Sequence, residues 1–529
     1  MLYKTRFNRR KPTTSTSRLS KSVSQTGPQT EPAPKTAEPL NYDFANLPSL
    51  ILVDVFSRLQ LKNLVRCSRV CRNWHRIVEG SDGAWSTFVY GGTMLCKRKF
   101  TIHEGWQHMI DHWKLRLLIS RAARRWRHLV IRPSNLVHNL YELMRVLTNF
   151  TEYYANQNED ALKEIRSFEF DWKLHHFEAD WQPIAWESSF RRSEFDDEYA
   201  QFGFLTGPVK TITVGTGGTV LQALNSLIYH LHGLRHLALR QLELNDKEAE
   251  SFMDDLLSYF QESLTSLCIR NLTRGRKSFM HLGLFVKLQR LIVSPQHLDA
   301  DNVRLLGGLQ CLCDLVIIQD DKTIGAEPVE VGVWDDFRDV SKGRIRVHLR
   351  ARGRQTNELL LQPGAPVASI AYDTPATQLT VEMAQFIASN YSTTLECFVQ
   401  RGLERRYRSR QFQNRVDSSV VELVANCANL HLLALRERIS TGTLLYLAAL
   451  IPTRCPDCRL HVRQNALLKR RDWAQLPDWT DDFYRWLGEK CRDYDTTTAA
   501  VRRLLSQGDW RPLRDNEYLS RFPQKKEEL

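Results

Sequence analysis

No window of the 529 residues approaches eighteen consecutive apolar positions, so neither a membrane-spanning helix nor a membrane partner is expected. Cysteine is present but unorganised, at 67, 71, 96, 268, 311, 313, 397, 427, 455, 458 and 491. An odd count without a framework argues against a disulfide scaffold and for a reducing compartment: cytoplasm, nucleus or both. Nucleotide-loop chemistry is missing too. Gly215-Thr216-Gly217-Gly218 follows a Thr/Val strand, but no Gly-Lys-Ser/Thr comes after it, so it reads as a tight turn. Cys455-Pro456-Asp457-Cys458 followed by His461 has the spacing of half a zinc site. A closed site needs four ligands, and the later chain offers only Cys491; a free-thiol turn is the better reading, and no metal or cofactor is expected. No Ser/His/Asp order and no metalloprotease motif is visible, so the chain reads as non-catalytic.

The chain is long enough for two or three domains, and 42% hydrophobic with 25% charged residues is ordinary for a globular protein. Its net charge is +13. Nearly half lies in residues 1–40, where eight Lys or Arg face two Glu, a net of +6. This segment is rich in Ser, Thr and Pro and poor in large apolar residues, which predicts a disordered basic tail. Beside a plain solvated tail stand three functional readings: Arg9-Arg10-Lys11 as a nuclear-import patch, a mitochondrial transit peptide, and phosphorylation between Thr13 and Ser24.

Residues 47–85 carry the densest information. Leu52, Val55, Phe56 and Leu59 recur at helical spacing and predict one apolar stripe on a first helix. Leu61, Leu64 and Val65 mark a short second helix. A third, from Val70, places Cys71, Trp74 and Val78 on one face. Leu47-Pro48 suits an extended lead-in, where the missing proline amide costs nothing. Three short helices in about forty residues bury little surface alone, so an apolar face is expected to remain for a partner.

The pattern resembles the F-box family. That motif runs Leu-Pro, an aliphatic–Phe helix closed by Leu, a Leu-led turn, Val-Cys-x-x-Trp and a trailing Trp. Here these are Leu47-Pro48, Val55-Phe56 with Leu59, Leu64, Val70-Cys71 with Trp74, and Trp85. Leu50, Leu61 and Asn63 depart from it, standing where the family often has an acidic residue, Pro and Asp. Over residues 41–500 the layout is similar to the F-box only protein 33 and 39 group. The resemblance implies a substrate-recognition subunit of an SCF-type ubiquitin ligase, its F-box binding the Skp adaptor and, through it, cullin. It also implies adaptor contact by Leu47, Pro48, Ile51, Val55, Phe56, Leu59, Leu64, Val70, Cys71 and Trp74, with some, Trp74 especially, instead holding the helices together. No ordered Cys/His octet of a RING ligase and no distinctive thiolester-forming cysteine is present.

Behind this region comes a recurring leucine pattern. Leu234-x-x-Leu237-x-Leu239-x-x-Leu242 is followed by Leu264-x-x-Leu267-x-Ile269-x-x-Leu272, then Leu288-x-x-Leu291-x-Val293 and Leu312-x-x-Leu315-x-Ile317. The starts lie 30, 24 and 24 residues apart, the period of leucine-rich repeats, in which each unit is a short strand with a helical or irregular return. Weaker units start at Trp126, Ile165, Leu395 and Leu430. Strands are also expected at Ile345-x-Val347-x-Leu349 and Ile370-x-Tyr372, and return helices at 218–231 and 248–260. The expected fold is α/β: a disordered tail (1–40), a three-helix F-box (41–90), an irregular solenoid (91–465) and a helical carboxyl-terminal cap (466–529). Trp473, Trp479 and Trp486 are expected to anchor the cap. An insertion near 171–204, with Trp172, Trp181 and Trp186, either packs as helices or presents aromatics to a ligand. The loop at 319–334 and the basic run 350–354 read as exposed connections.

Directly after the last inward residue of four units stand Arg132, Arg240, Arg270 and Arg436. In a stacked sheet they would line one ledge of the open face and take an acidic or phosphorylated protein substrate. Against that stands a plain scatter of solvated arginines. Two other functional classes remain: a repeat scaffold that uses Skp outside ubiquitin transfer, and a nucleic-acid binder suggested by pI ≈ 9.2. Nucleic acid is not the expected partner, because no binding fold is recognisable and much of the excess charge sits in the tail.

Overall fold

In the computed structural model the described residues are 47–101, 105–134, 136–157, 161–172, 205–206, 213–214, 218–353, 359–375, 377–403, 415–469 and 480–523. The tail of 1–40, the insertion from residue 173, Gly215 to Gly217, and Trp473 and Trp479 lie outside them. Pro48 onward forms one compact unit, and Leu47 closes the unit before it.

Three helices come first: α1 (Ser49–Ser57), α2 (Leu61–Cys67) and α3 (Arg72–Gly80). A single 3-10 turn, Gly83–Trp85, then leads into β1 (Thr87–Tyr90). Two antiparallel hairpins stand apart, β2 (Cys96–Thr101) with β3 (Gly105–Ile110) and β6 (Leu205–Thr206) with β7 (Thr213–Val214). The main sheet continues through β4 (His128–Ile131), β5 (Ser167–Asp171), β8 (His236–Arg240), β9 (Ser266–Arg270) and β10 (Arg290–Val293). It ends with β11 (Asp314–Gln319), β12 (Arg346–Ala351), β13 (Val367–Tyr372), β14 (Cys397–Gln400), β15 (Leu432–Leu435) and β17 (Arg459–Val462). A small parallel pair, β16 (Ile439–Ser440) and β18 (Leu467–Leu468), accompanies its far end.

All twelve strands of the main sheet are parallel, and their spatial order is their chain order. Parallel neighbours need a crossover, and the returns supply it: helices at Val137–Ala155, Thr219–Tyr229, Asp246–Phe260, Ala300–Gly307, Val331–Ser341, Val381–Asn390, Asp417–Asn426 and Thr441–Arg454. The expected helices at 218–231 and 248–260 are among them. The stretch 319–334, expected as a loop, gives way to a helix from Val331, and Arg350 belongs to β12 rather than to an exposed connection.

Register places like residues side by side. Leu129, Phe168, Leu237, Leu267, Leu291, Leu315 and Val347 form one buried row across β4 to β12. Ile131, Phe170, Leu239, Ile269, Val293, Ile317 and Leu349 form the next, two residues on. Each fully buried aliphatic or aromatic side chain contributes about 1.5–3 kcal/mol, so the rows are the main source of cohesion. Ala238, Cys268, Ile292, Val316 and Ile318 make a smaller cluster with the opposite strand parity.

The last strand is covered rather than left open. Leu513 N donates to Val462 O (2.8 Å) and Gln464 N to Leu513 O (2.7 Å), which pairs the returning chain with the edge. Trp510 Nε1 donates to Leu460 O, and Arg463 pairs with Asp515 at 2.6 Å. Leu513, Tyr518 and Phe522, from the final helix Asp515–Arg521 and its flanks, pack on Val399 and Ala434. Trp486, an expected anchor, is only half-buried and stacks on Phe483; the buried anchors are Leu487, Val501, Trp510 and Tyr518. Among the described residues, no helix is long and apolar enough to cross a membrane.

One buried histidine makes the body acid-sensitive. Leu272 N donates to His297 Nε2 (3.1 Å), while His297 Nδ1 sits 2.8 Å from Lys277 O, so the ring is held as the neutral Nδ1–H tautomer. Burial pushes its pKa down to about 4 from the ordinary 6.5. His461 is likewise held at about 4, by burial and then by Arg521 and Arg459. Above pH 6.5 both states are neutral. Between pH 6.5 and 4 only the unfolded chain binds these protons, so stability falls with pH there, by roughly 3 kcal/mol for His297 alone. His297→Gln should flatten the stability-versus-pH curve across that window in denaturant titrations; an unchanged slope would refute the assignment.

Candidate partner-docking site

The three amino-terminal helices fill their own small core. Leu52, Phe56, Leu64, Ile77, Val78 and Trp85 are buried, and the Phe56 and Trp74 rings meet edge-on at 5.2 Å. Cys71 closes the start of α3, its Sγ accepting from Trp74 N at 3.4 Å. Pro48 precedes α1 with φ −50° and ψ 138°, the extended lead-in its ring favours. Gly83 is required by close approach: a Cβ there would lie 2.7 Å from Val53 Cγ1 on α1.

The helices are tied to the sheet without a linker. Trp85 Nε1 donates to Val78 O (2.7 Å), and Arg125 Nη1 donates to Glu79 O (2.9 Å) beside the Trp85 ring. Ser86 O accepts from both Arg127 N and His128 N, and Phe88 of β1 stacks on Trp126 at 4.3 Å. Residues 87–90, counted with the helical region in the sequence reading, are thus the first strand of the body.

With that core full, several apolar side chains have no intramolecular use. Leu50 is 83% exposed, Ile51 49%, Val55 46% and Val70 62%. Ile51 and Val55 lie one turn apart on α1, and Val70 lies in the turn before α3. The predicted stripe of Leu52, Val55, Phe56 and Leu59 therefore splits: Leu52 and Phe56 face inward, Leu59 is half-buried and Val55 faces out. Of the ten residues assigned to adaptor contact, Pro48, Ile51, Val55 and Val70 are exposed. Phe56 and Leu64 are internal, and Leu47, Leu59, Cys71 and Trp74 are half-buried. Leu50, where the family pattern often has an acid, was missed; its signal was an apolar residue beside Ile51 with no helical-face partner. The exposed Arg58–Asp54 pair (3.0 Å) adds a few tenths of a kcal/mol at most.

The arginine ledge is not formed as expected. Arg240 is 2% exposed, Arg270 7% and Arg436 0%. Arg240 Nη1 donates to Glu169 (3.0 Å), Arg270 pairs with Asp320 (3.2 Å), and Arg436 donates to the carbonyls of Arg401, Thr374 and Thr377. Only Arg240 and Arg270 are register neighbours, and Arg132 alone is exposed. The reason is that the residue after the last inward leucine turns into the connection, where a guanidinium satisfies carbonyls and carboxylates of the next units. Asp320 is the hub there, taking Asn271 Nδ2 at 2.8 Å and Gln241 Nε2 at 3.0 Å. Cys455 and Cys458 are buried in a turn closed by Cys458 N to Cys455 O (2.9 Å). Among the described residues no His, Cys, Asp or Glu group is arranged to hold a metal.

Comparison with known proteins meets this geometry at the three helices. Residues 44–89 match the F-box-like family model, so the chain carries an F-box-like domain. It is 32% identical over 62 residues to the F-box only protein 48 of Homo sapiens, which is 12% of this chain and 40% of that protein. The chain thus spans about two fifths of the length of the curated relative it matches.

Burial separates the arginines by role. Arg436→Met strands three carbonyls and should cost on the order of 3 kcal/mol in chemical denaturation. Arg132→Ala should stay within about 0.5 kcal/mol of the wild type. Equal effects would mean that the exposure difference has no energetic counterpart.

Proposed function

We propose that this chain is the substrate-recognition subunit of an SCF-type ubiquitin ligase, of the kind represented by the F-box only protein 33 and 39 group. The F-box-like helices bind the Skp adaptor and, through it, cullin. The body, read as an irregular leucine-rich-repeat solenoid, binds the protein client. The chain supplies proximity and no catalytic group: the conjugating machinery is brought to a client held beside it.

One observation carries the reading. Leu50, Ile51, Val55 and Val70 stand open on a helical trio whose core is already complete, within a segment matched to the F-box-like family. Apolar side chains left outside a filled core suit a partner's apolar groove. The direct hydrogen bonds from Arg125 and Trp85 support a second element of the proposal, a rigid presentation of the client relative to the adaptor. All eleven cysteines are free, which supports action in a reducing compartment, cytoplasm or nucleus.

The test is co-purification of the full chain with the Skp adaptor and cullin from cells with the proteasome blocked. Ile51→Asp with Val55→Asp should lower adaptor capture at least tenfold and leave the thermal midpoint unchanged. Phe56→Ala should lose about 3–5 kcal/mol of local stability and adaptor capture together. Adaptor bound without cullin would favour the scaffold alternative, and adaptor capture indifferent to the double substitution would remove the docking assignment.

A further inference from the structure

The positive charge of this chain lies in two places. Residues 1–40 hold +6 of the net +13, and residues 96–127, with nine Lys or Arg against two Glu or Asp, hold the other +7. The rest of the chain is balanced. The second block folds into the β2–β3 hairpin and then α4 (His112–Ala122), which ends at the short turn Ala123–Arg125. Eight of its nine cations are exposed; the ninth, Arg125, is half-buried where it binds Glu79 O of the F-box-like helices.

One face of α4 meets the body in the ordinary way: Leu115, Ile119 and Ala122 are 0–1% exposed. Its opposite face is not plainly polar. Trp113 is 80% exposed and Leu117, one turn further on, 53%. At 3.6 residues per turn, Lys114 and Arg121 flank this apolar pair on one side and Arg116 on the other. The acid at the head of the helix is already engaged. Asp111 accepts from Trp113 N (3.2 Å) and Lys114 N (3.4 Å) as the helix cap, and it pairs with the Lys114 ammonium at 3.3 Å. Arg116 and Arg121 have no carboxylate partner among the described residues. The face therefore joins a large ring and an aliphatic side chain, both in water, to guanidinium groups that the fold leaves open.

We propose that the Trp113–Leu117 face of α4 is a docking surface for an acidic protein segment with apolar side chains between its carboxylates. Trp and Arg are the side chains that carry most energy at protein interfaces, and an Arg fork takes a carboxylate bidentately. Charge decides against two nearer occupants. The amino-terminal segment, at +6, and the same face of a second copy are both repelled by this surface. A nucleic-acid strand fits it less well, because such strands stack base after base on rings repeated along their path. Trp113 is the single Trp, Tyr or Phe of α4, and Trp126 beyond it is buried against Phe88. Leu117 offers a base no ring to stack on but suits an aliphatic side chain. The surface belongs to a different element from Ile51 and Val55, and its reading does not depend on the adaptor.

The test uses the full chain and three fluorescent peptide pools of equal length: glutamate with leucine, glutamate with serine, and lysine with leucine. At physiological ionic strength the glutamate–leucine pool should bind at least tenfold more tightly than either other pool, and added salt should weaken it. Trp113→Ala with Leu117→Ala, and separately Arg116→Glu with Arg121→Glu, should each lower that affinity at least tenfold at an unchanged thermal midpoint. Arg9→Glu with Lys11→Glu makes the same charge change in the amino-terminal segment and should alter the affinity less than twofold. Ile51→Asp with Val55→Asp should also leave it within twofold, so a failure at α4 leaves the receptor reading standing. Equal binding of the two glutamate pools would overturn the proposal, as would equal losses from the α4 and amino-terminal charge reversals. Tighter binding of a single-stranded oligonucleotide, lost on reversing Arg116 and Arg121, would replace the acidic segment with nucleic acid and overturn it too.

Discussion

A strand of this sheet cannot close its own core, and the rest of the architecture follows from that. Leu237 and Leu239 are covered only because Phe168 and Phe170 lie beside them on one flank and Leu267 and Ile269 on the other. Such stacking has no internal stopping point, so both ends need something other than another strand. At the far end the chain turns back: Leu513 pairs with β17, and Tyr518 and Phe522 cover β14 and β15. At the near end the F-box-like helices are joined directly to the body: Trp85 Nε1 donates to Val78 O and Arg125 Nη1 to Glu79 O. The element read as the partner-docking module is therefore fixed to the body without a linker.

Much of this was legible where one side chain's environment is set by its own strand. The Leu-x-x-Leu-x-Leu units mark β8 to β11 because an inward pair at period two, preceded by an apolar turn residue, is a local signature. Even the weaker units beginning at Trp126, Ile165, Leu395 and Leu430 lie on strands of the sheet. What escaped was set by partners distant in sequence. Phe88 and Tyr90 sit in a four-residue strand with no leucine repeat, recognisable only once Leu129 and Ile131 are beside them. Val55 and Phe56 belong to the same helical stripe on paper. Only the position of α3, carrying Trp74, sends one inward and leaves the other out.

The arginines show the same limit in sharper form. Equivalent position in a repeat does identify equivalent environment, and Arg240 and Arg270 are register neighbours. It does not say whether that environment is open. After the last inward residue the chain bends, Gln241 and Asn271 take positive φ, and the connection folds over the preceding side chain. A guanidinium trapped there must find acceptors inside the protein, and Glu169, Asp320 and the carbonyls near Thr374 provide them. Arg350, inside a strand and between inward residues, is placed otherwise. It faces away from the helices and has no such acceptors among the described residues.

Coupling between the two ends of the molecule follows from the missing linker. From β1, which continues directly from the F-box-like helices, seven lateral steps lead to β12, and at about 4.8 Å per step this is roughly 34 Å of hydrogen-bonded sheet. A flexible tether of that reach would leave a bound client free to sample many orientations, and part of the proximity gained by capture would be lost to that freedom. A parallel sheet with a filled apolar row resists such motion, because bending it breaks ladder hydrogen bonds and opens packed side chains together. On the proposed receptor reading, a client held on the body would be fixed relative to Ile51 and Val55 by the number of strands between them. Inserting or deleting one strand–helix unit between β5 and β12 would change that separation by one lateral step. On that reading the length of the body is a functional dimension.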